Sequence, residues 1–181
     1  MAGFASLERM FVLGVDPGLS RCGYGCVTRA GPGFRTIAAG VLTTDPRAPL
    51  PGRLAELSRE LSAVIRECSP DAVAVERVFF QTNVRTAMSV GQASGLALAA
   101  AAEAGCAVAQ YTSNEVKEAV VGYGGATKEQ VQRMVARLAG LDAPPSPPDV
   151  ADALGLAICH LTLAPLAAAV ERAGTGGRRE G

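Results

Sequence analysis

The chain has 181 residues, 49% of them apolar and 19% charged. That length sets an expectation of one domain, and the composition excludes a disordered polymer, because it holds enough apolar surface to build a core. Seventeen basic residues balance seventeen acidic ones, which disfavours a purely electrostatic nucleic-acid binder. The longest unbroken apolar run, Leu96–Ala102, has seven residues, too short for a membrane span. The first ten residues include Glu8 and Arg9 and lack a long apolar stretch, so no secretory signal is expected. The five cysteines form no CxxC pair. They read as buried small hydrophobes in a reducing compartment, and a cytoplasmic location is expected.

Residues 1–9 read as an extension ahead of the fold. Phe11–Asp16 is a short apolar run closed by Pro17-Gly18, hence a strand and a turn. Residues 23–29 and 34–43, separated by Gly31-Pro32-Gly33, complete an antiparallel three-stranded meander. Leu50, Leu54, Leu57, Leu61, Val64 and Ile65 then recur at helical spacing. Asp71–Glu76 is an apolar strand that ends in an acid, and an Ala-rich helix follows over about 84–104, ended by Gly105. Ala107–Tyr111 reads as a further buried strand. Thr112-Ser-Asn-Glu115 and Thr127-Lys-Glu-Gln130 are capping boxes that open two helices. Ser146-Pro147-Pro148-Asp149 opens the last helix, with Ser146 as N-cap and Pro147 at the first helical position, and the periodicity carries it to about Leu163. Residues 165–181 read as a disordered tail, leaving 10–164 as the folded domain. The order βββαβαβααα predicts an α/β fold: one mixed five-stranded sheet, three antiparallel strands then parallel strands, flanked by helices.

Four carboxylates stand out by position. Asp16 ends the first strand and Glu76 the fourth, and strand ends are where open α/β sheets place their sites. Asp149 and Asp152 lie three apart at the start of the last helix, about 60° apart around its axis. Three of them have a plain structural reading: a turn residue for Asp16, a helix N-terminal charge for Asp149 and a solvated helix residue for Asp152. Glu76 is harder to dismiss, because it ends an apolar strand directly before Arg77, Phe79 and Phe80. Gathered together, four acids repel and call for a cation. Hard oxygen ligands suit Mg²⁺ or Mn²⁺, and two such ions would serve phosphodiester cleavage.

The strings Leu13-Gly-Val-Asp-Pro-Gly-Leu-Ser-Arg-Cys-Gly23, Val75-Glu-Arg-Val-Phe-Phe80, Gly91-Gln-Ala-Ser-Gly95 and Asp149-Val-Ala-Asp-Ala-Leu154 closely resemble the RuvC family of bacterial crossover junction endodeoxyribonucleases, in order from about Met10 to about Leu161. The resemblance implies an RNase H-like fold. It implies that Asp16, Glu76, Asp149 and Asp152 are catalytic and bind metal, with two Mg²⁺ ions per site and Mn²⁺ as a substitute. Some family members carry His where this chain has Asp149. The resemblance matches Phe79 to an aromatic that inserts among bases at the junction centre, with Phe80 beside it. It matches Lys117 and Lys128, the only lysines, to basic residues that serve catalysis or DNA binding. Arg77 and Arg85 flank the aromatic loop and are candidate phosphate contacts, although a salt bridge or a solvated face fits them equally. Gln81 to Asn83 adds polar loop groups near the same site.

The implied activity is resolution of four-way (Holliday) DNA junctions by a homodimer in recombination and repair. Symmetric cuts would leave 5′-phosphate and 3′-hydroxyl ends, and RuvA–RuvB is the implied partner. Outside the four acids, 17 basic residues face 13 acidic ones, so a neutral chain can still present a positive face to DNA. The long Ala/Gly-rich helix over 84–104 is the candidate dimer surface. His160 reads as a satisfied helix histidine and Cys159 as core. The Asp-x-Gly-x-Ser string also resembles the phosphate loop of actin-like ATPases, which need two such domains and more length. A module that binds junctions without cutting them would have been favoured by loss of any of the four acids.

Overall fold

The computed structural model describes residues 10–78 and 84–176. Among them are strands β1 (Phe11–Asp16), β2 (Arg21–Ala30), β3 (Gly33–Thr43), β4 (Ala72–Glu76) and β5 (Ala107–Tyr111). The helices are α1 (Leu50–Cys68), α2 (Val84–Glu103), α3 (Ser113–Val121), α4 (Lys128–Leu138) and α5 (Pro148–Gly176). The sheet order is β3-β2-β1-β4-β5. β1 pairs antiparallel with β2, and β2 with β3, while β1–β4 and β4–β5 are parallel. This is the mixed α/β sheet that the element order predicts, in the RNase H-like arrangement that the resemblance implies.

Strand side chains alternate between faces with a period of two. Leu13 and Val15 of β1 and Val73 and Val75 of β4 therefore join Leu57, Leu61 and Ile65 of α1 and Ala93, Ala97 and Ala101 of α2 in one buried layer. Val12 of β1 and Ala72 and Ala74 of β4 face the other way, against Val116 of α3, Val131 and Val135 of α4, and Leu154 and Ile158 of α5. The same parity turns Asp16 and Glu76 toward the α3–α5 side.

Helix α5 lies on the centre of that face, in contact with β1 and β2. It comes close because the strand positions beneath it are bare. Gly14 and Gly25 are register partners across β1–β2, and Gly23 partners Asp16. A Cβ on Gly14 would overlap the Ala153 carbonyl oxygen, and one on Gly23 would overlap that of Asp149. A Cβ on Gly25 would stand 2.6 Å from Leu154 Cδ2. The glycines thus set both the depth and the register of the helix that carries Asp149 and Asp152.

Both capping boxes form. Thr112 Oγ1 accepts from the Glu115 amide at 3.1 Å, and Glu115 Oε2 accepts from the Thr112 amide at 2.7 Å. Thr127 and Gln130 repeat the exchange at 3.3 and 2.8 Å.

Three features differ from the sequence reading. β5 is an edge strand with Ala107 and Val108 exposed, because an apolar run reads the same whether or not a layer covers it. Helix α5 starts at Pro148, one residue later than expected, and continues past Leu163 to Gly176. It passes through Pro165, which has no N–H for the Leu161 carbonyl. Arg29 of β2 donates its Nη2 to that carbonyl instead. Finally, Pro148–Ala167 is long and apolar enough to cross a membrane by length and composition alone. Counting unbroken runs misses this because Asp149, Asp152, His160 and Thr162 interrupt the stretch. Most of it is buried against the sheet and the neighbouring helices, which fits a core helix.

Gly14→Ala is expected to lower the free energy of unfolding by about 2–4 kcal/mol, because the methyl meets backbone that cannot swing aside. Urea denaturation measures the change. Gly52→Ala is the control: its Cβ would meet nothing within 4 Å, and the helix context predicts a gain of about 0.5–1 kcal/mol.

Candidate active site

Asp16 and Glu76 project from the C-terminal ends of neighbouring parallel strands, one residue beyond the Val15–Val75 pair. Asp152 comes down from the first turns of α5, and Lys128 from the N-terminus of α4. Asp16, Glu76, Asp152, Lys128, Lys117 and Ser113 line one cavity of about 410 Å³ whose apolar wall is Val116, Val131 and Leu156. Asp149 stands one helical turn from Asp152, and its backbone rests on Gly23.

The charges in this cavity are unbalanced. Burial, and then repulsion by Glu76, Asp152 and Asp149, pushes Asp16 up to about 7. Burial and then Asp152 push Glu76 up as well. Two cations offset part of the excess. Lys128 Nζ donates to Asp152 Oδ2 at 2.7 Å. That contact raises the lysine's pKa and compensates a positive charge placed at a helix N-terminus. Arg21 Nη2 donates to Asp149 Oδ2 at 2.8 Å, and this hydrogen bond is the main reason Asp149 titrates below its ordinary value. With two acids turned toward protein cations, no three His, Cys, Asp or Glu side chains among the described residues converge tightly enough to grip one ion. The donor chemistry nonetheless fits a hard divalent cation: all the candidate donors are carboxylate oxygens, and the strain on Asp16 is what added positive charge would relieve.

Around this centre, the loop after β1 is pinned to the sheet. Thr44 Oγ1 donates to the Leu19 carbonyl at 2.6 Å, and Arg53 Nη2 to Ser20 Oγ at 2.7 Å. Arg77 is tied back to β5, its Nη2 donating to the Gln110 carbonyl at 3.3 Å and its amide to that of Tyr111 at 2.8 Å. His160 is buried two turns below Asp152, with Nδ1 hydrogen-bonded to Tyr111 Oη at 2.9 Å. It is a satisfied helix histidine. Cys159 is buried in the core. Phe79, Phe80 and Gln81 to Asn83 lie outside the described residues, as does the side chain of Arg85.

Sequence reasoning misses Arg21, Arg53 and Ser113. A signal exists for Arg21: it precedes Gly23 by two and Gly25 by four, so alternation puts all three on the face that meets α5.

The strain on Asp16 has a readable pH dependence. Its folded pKa of about 7 lies above the ordinary 3.8. The folded state therefore binds the proton more tightly, and ionisation weakens the fold. The loss is absent below about pH 4, grows as pH rises, and is complete above about pH 7. In chelating buffer, Asp16→Asn should be more stable than the wild type by about 1–3 kcal/mol at pH 8, with the difference shrinking toward zero at pH 4. Urea titrations at the two pH values measure it, and an equal difference at both would remove the repulsion.

A family model described as crossover junction endodeoxyribonuclease RuvC matches residues 12–160. A crossover junction endodeoxyribonuclease RuvC from Salinispora arenicola is 54% identical over 175 residues, covering 94% of this chain and all of the relative. One from Chloroflexus aggregans is 49% identical, covering 86% of this chain and 95% of the relative. The solved structure of Thermus thermophilus RuvC in complex with a Holliday junction substrate superposes with a TM-score of 0.84 at 38% identity, over 88% of this chain and 97% of that one. With the strand-end acids facing α5 and the match spanning the whole sheet and its covering helices, the chain belongs to the RuvC family of crossover junction endodeoxyribonucleases.

Proposed function

We propose that this chain carries out its family's reaction, endonucleolytic cleavage of crossover-junction DNA, by metal-dependent hydrolysis at Asp16, Glu76, Asp149 and Asp152. The observation that carries this reading is the shared cavity. Acids from β1, β4 and α5 meet there with two lysines, and Asp16 is pushed up to about 7 by burial and its acidic neighbours. Such a site attracts divalent cations and, through Lys117 and Lys128, a phosphate.

Asp16, Glu76, Asp149 and Asp152 would hold hard divalent cations, Mg²⁺ or Mn²⁺ and two per site, which when bound would supply Lewis acidity for an attacking water and a leaving oxygen. Asp16 and Glu76 hold their carboxylates at the floor of the cavity, fixed by the strands. Lys128 gives Asp152 a counter-charge and offers a donor to the scissile phosphate. Lys117 adds a second positive charge on the cavity wall. Val116, Val131 and Leu156 limit access of bulk water from one side, which strengthens these interactions. Cleavage leaves 5′-phosphate and 3′-hydroxyl ends, which a ligase can seal.

The enzyme works as a homodimer in the bacterial cytoplasm, alongside the RuvA–RuvB machinery. A two-fold axis between two sites matches the symmetry of a four-way junction. The outward side of α2 suits that contact: Met88 is exposed, and a Cβ at Gly91 or Gly95 would meet nothing within 4 Å. The inward side, Ala93, Ala97 and Ala101, is spent on the sheet. Phe79 and Phe80 stack on bases at the junction centre, an interaction worth about 1–3 kcal/mol per base, while Arg77 and Arg85 contact phosphates beside them.

The test is a nicking assay on a labelled synthetic four-way junction and on a linear duplex of the same sequence, with Mg²⁺ or with chelator. The expected outcome is paired, symmetric nicks in the junction alone. Chelator should abolish them, and Asp16→Asn or Glu76→Gln should reduce the rate by at least about a thousandfold. Tight junction binding without cutting under any metal would turn the reading to a binding module.

A further inference from the structure

Two of the four acids have a protein cation on them, and the two cations come from different places. Lys128 belongs to the rim of the cavity. Arg21 belongs to the sheet, at the first residue of β2. Its guanidinium takes the Asp149 carboxylate as a fork: Nη2 lies 2.8 Å from Oδ2, and Nε lies 3.3 Å from Oδ2 and 3.4 Å from Oδ1. A guanidinium that engages both oxygens leaves fewer of the carboxylate's lone pairs for another cation, and its charge opposes one.

We infer that Arg21 is a positioning residue that competes with the divalent cation for Asp149 and so sets the cation concentration at which the site fills. The inference deepens the metal-dependent reading and rests on it.

The backbone makes this exchange possible without disturbing the fold. Gly23 receives the Asp149 backbone, and Arg21 sits one step outward on the same strand face, so its side chain reaches the Asp149 carboxylate without reorganising β2. The Arg21 carbonyl lies against Gly18, where a Cβ would overlap it, and Thr44 and Arg53 hold Leu19 and Ser20. The strand start is therefore fixed. The side chain beyond it is half exposed, while Asp149 is 21% exposed. When a cation takes Asp149, the guanidinium can pass into water at little cost, because it is already half exposed. Without a cation, it offsets one negative charge in a cluster that already strains Asp16.

The test uses the full chain without DNA. Wild type, Arg21→Gln and Arg21→Lys are titrated with Ca²⁺, read by the thermal unfolding midpoint and by calorimetry. Arg21→Gln is expected to reach half-saturation at about three- to fivefold lower Ca²⁺. In chelator it should unfold at a lower temperature than the wild type, because the cluster has lost a counter-ion. Arg21→Lys keeps the charge but loses the fork, and should fall between the two. It also carries the comparison if Arg21→Gln fails to fold. A wild type that responds to Ca²⁺, with variants whose half-saturation is unchanged or higher, overturns the role of Arg21 and leaves the metal site standing. A wild type that shows no response to Ca²⁺ or to Mg²⁺ overturns both.

Discussion

Helix α5 rests on bare backbone, and the candidate site depends on that contact. Gly14, Gly23 and Gly25 remove side chains from the central strands where the helix crosses, so Ala153 and Asp149 lie against main chain rather than against a methyl. Packing at this distance leaves no slack, since a closely packed interior absorbs added volume only by moving its elements. The Asp16–Gly23 register pair sits beside the Asp149 backbone. The step that seats the helix is therefore the step that brings its acids toward the strand-end acid. The stability of the fold and the gathering of the acids are one constraint here.

The site shows the cost of that closeness. Carboxylates from three elements are gathered at the strand ends, and the buried length of α5 beyond its acids is apolar but for His160: Leu154, Ile158 and Leu161 are nearly or fully buried. Such surroundings amplify repulsion. The fold meets it with counter-ions at the periphery. Lys128 serves Asp152 and Arg21 serves Asp149, while Asp16 and Glu76 stay deeper and bear the strain. A cluster of this kind stores unfavourable negative charge that added positive charge would relieve.

Much of the fold is legible in the sequence because the local signals agree with one another. The apolar strand runs, the capping boxes at Thr112 and Thr127 and the heptad-like leucines of α1 each specify an element by short-range chemistry. The failures have physical causes as particular as the successes. β5 is apolar but for Gln110, much as a buried parallel strand is, and five residues do not tell an edge from a centre. Local rules end α5 near Leu163, because Pro165 should stop a helix. It does not, since Arg29, more than a hundred residues earlier, takes the carbonyl that proline leaves free. Arg21 carries only the faint local sign of its spacing from Gly23 and Gly25, because an arginine at a strand start is ordinary until Asp149, far along the chain, is set opposite it.

The amino-acid sequence by itself determined the class of fold, the strand order and the family. It also singled out four acids as the candidate site, because strand-terminal acids and an i, i+3 acid pair are local patterns joined to specific strings. Tertiary structure alone decided how those acids are neutralised. The pairing of Arg21 with Asp149 and of Lys128 with Asp152, the depth at which α5 lies on the glycines and the strain on Asp16 all join residues distant in the chain. Each depends on distances of a few ångströms, and electrostatic and packing energies change steeply over that range. Residue order along the chain carries no such distances until the sheet and α5 bring the residues together.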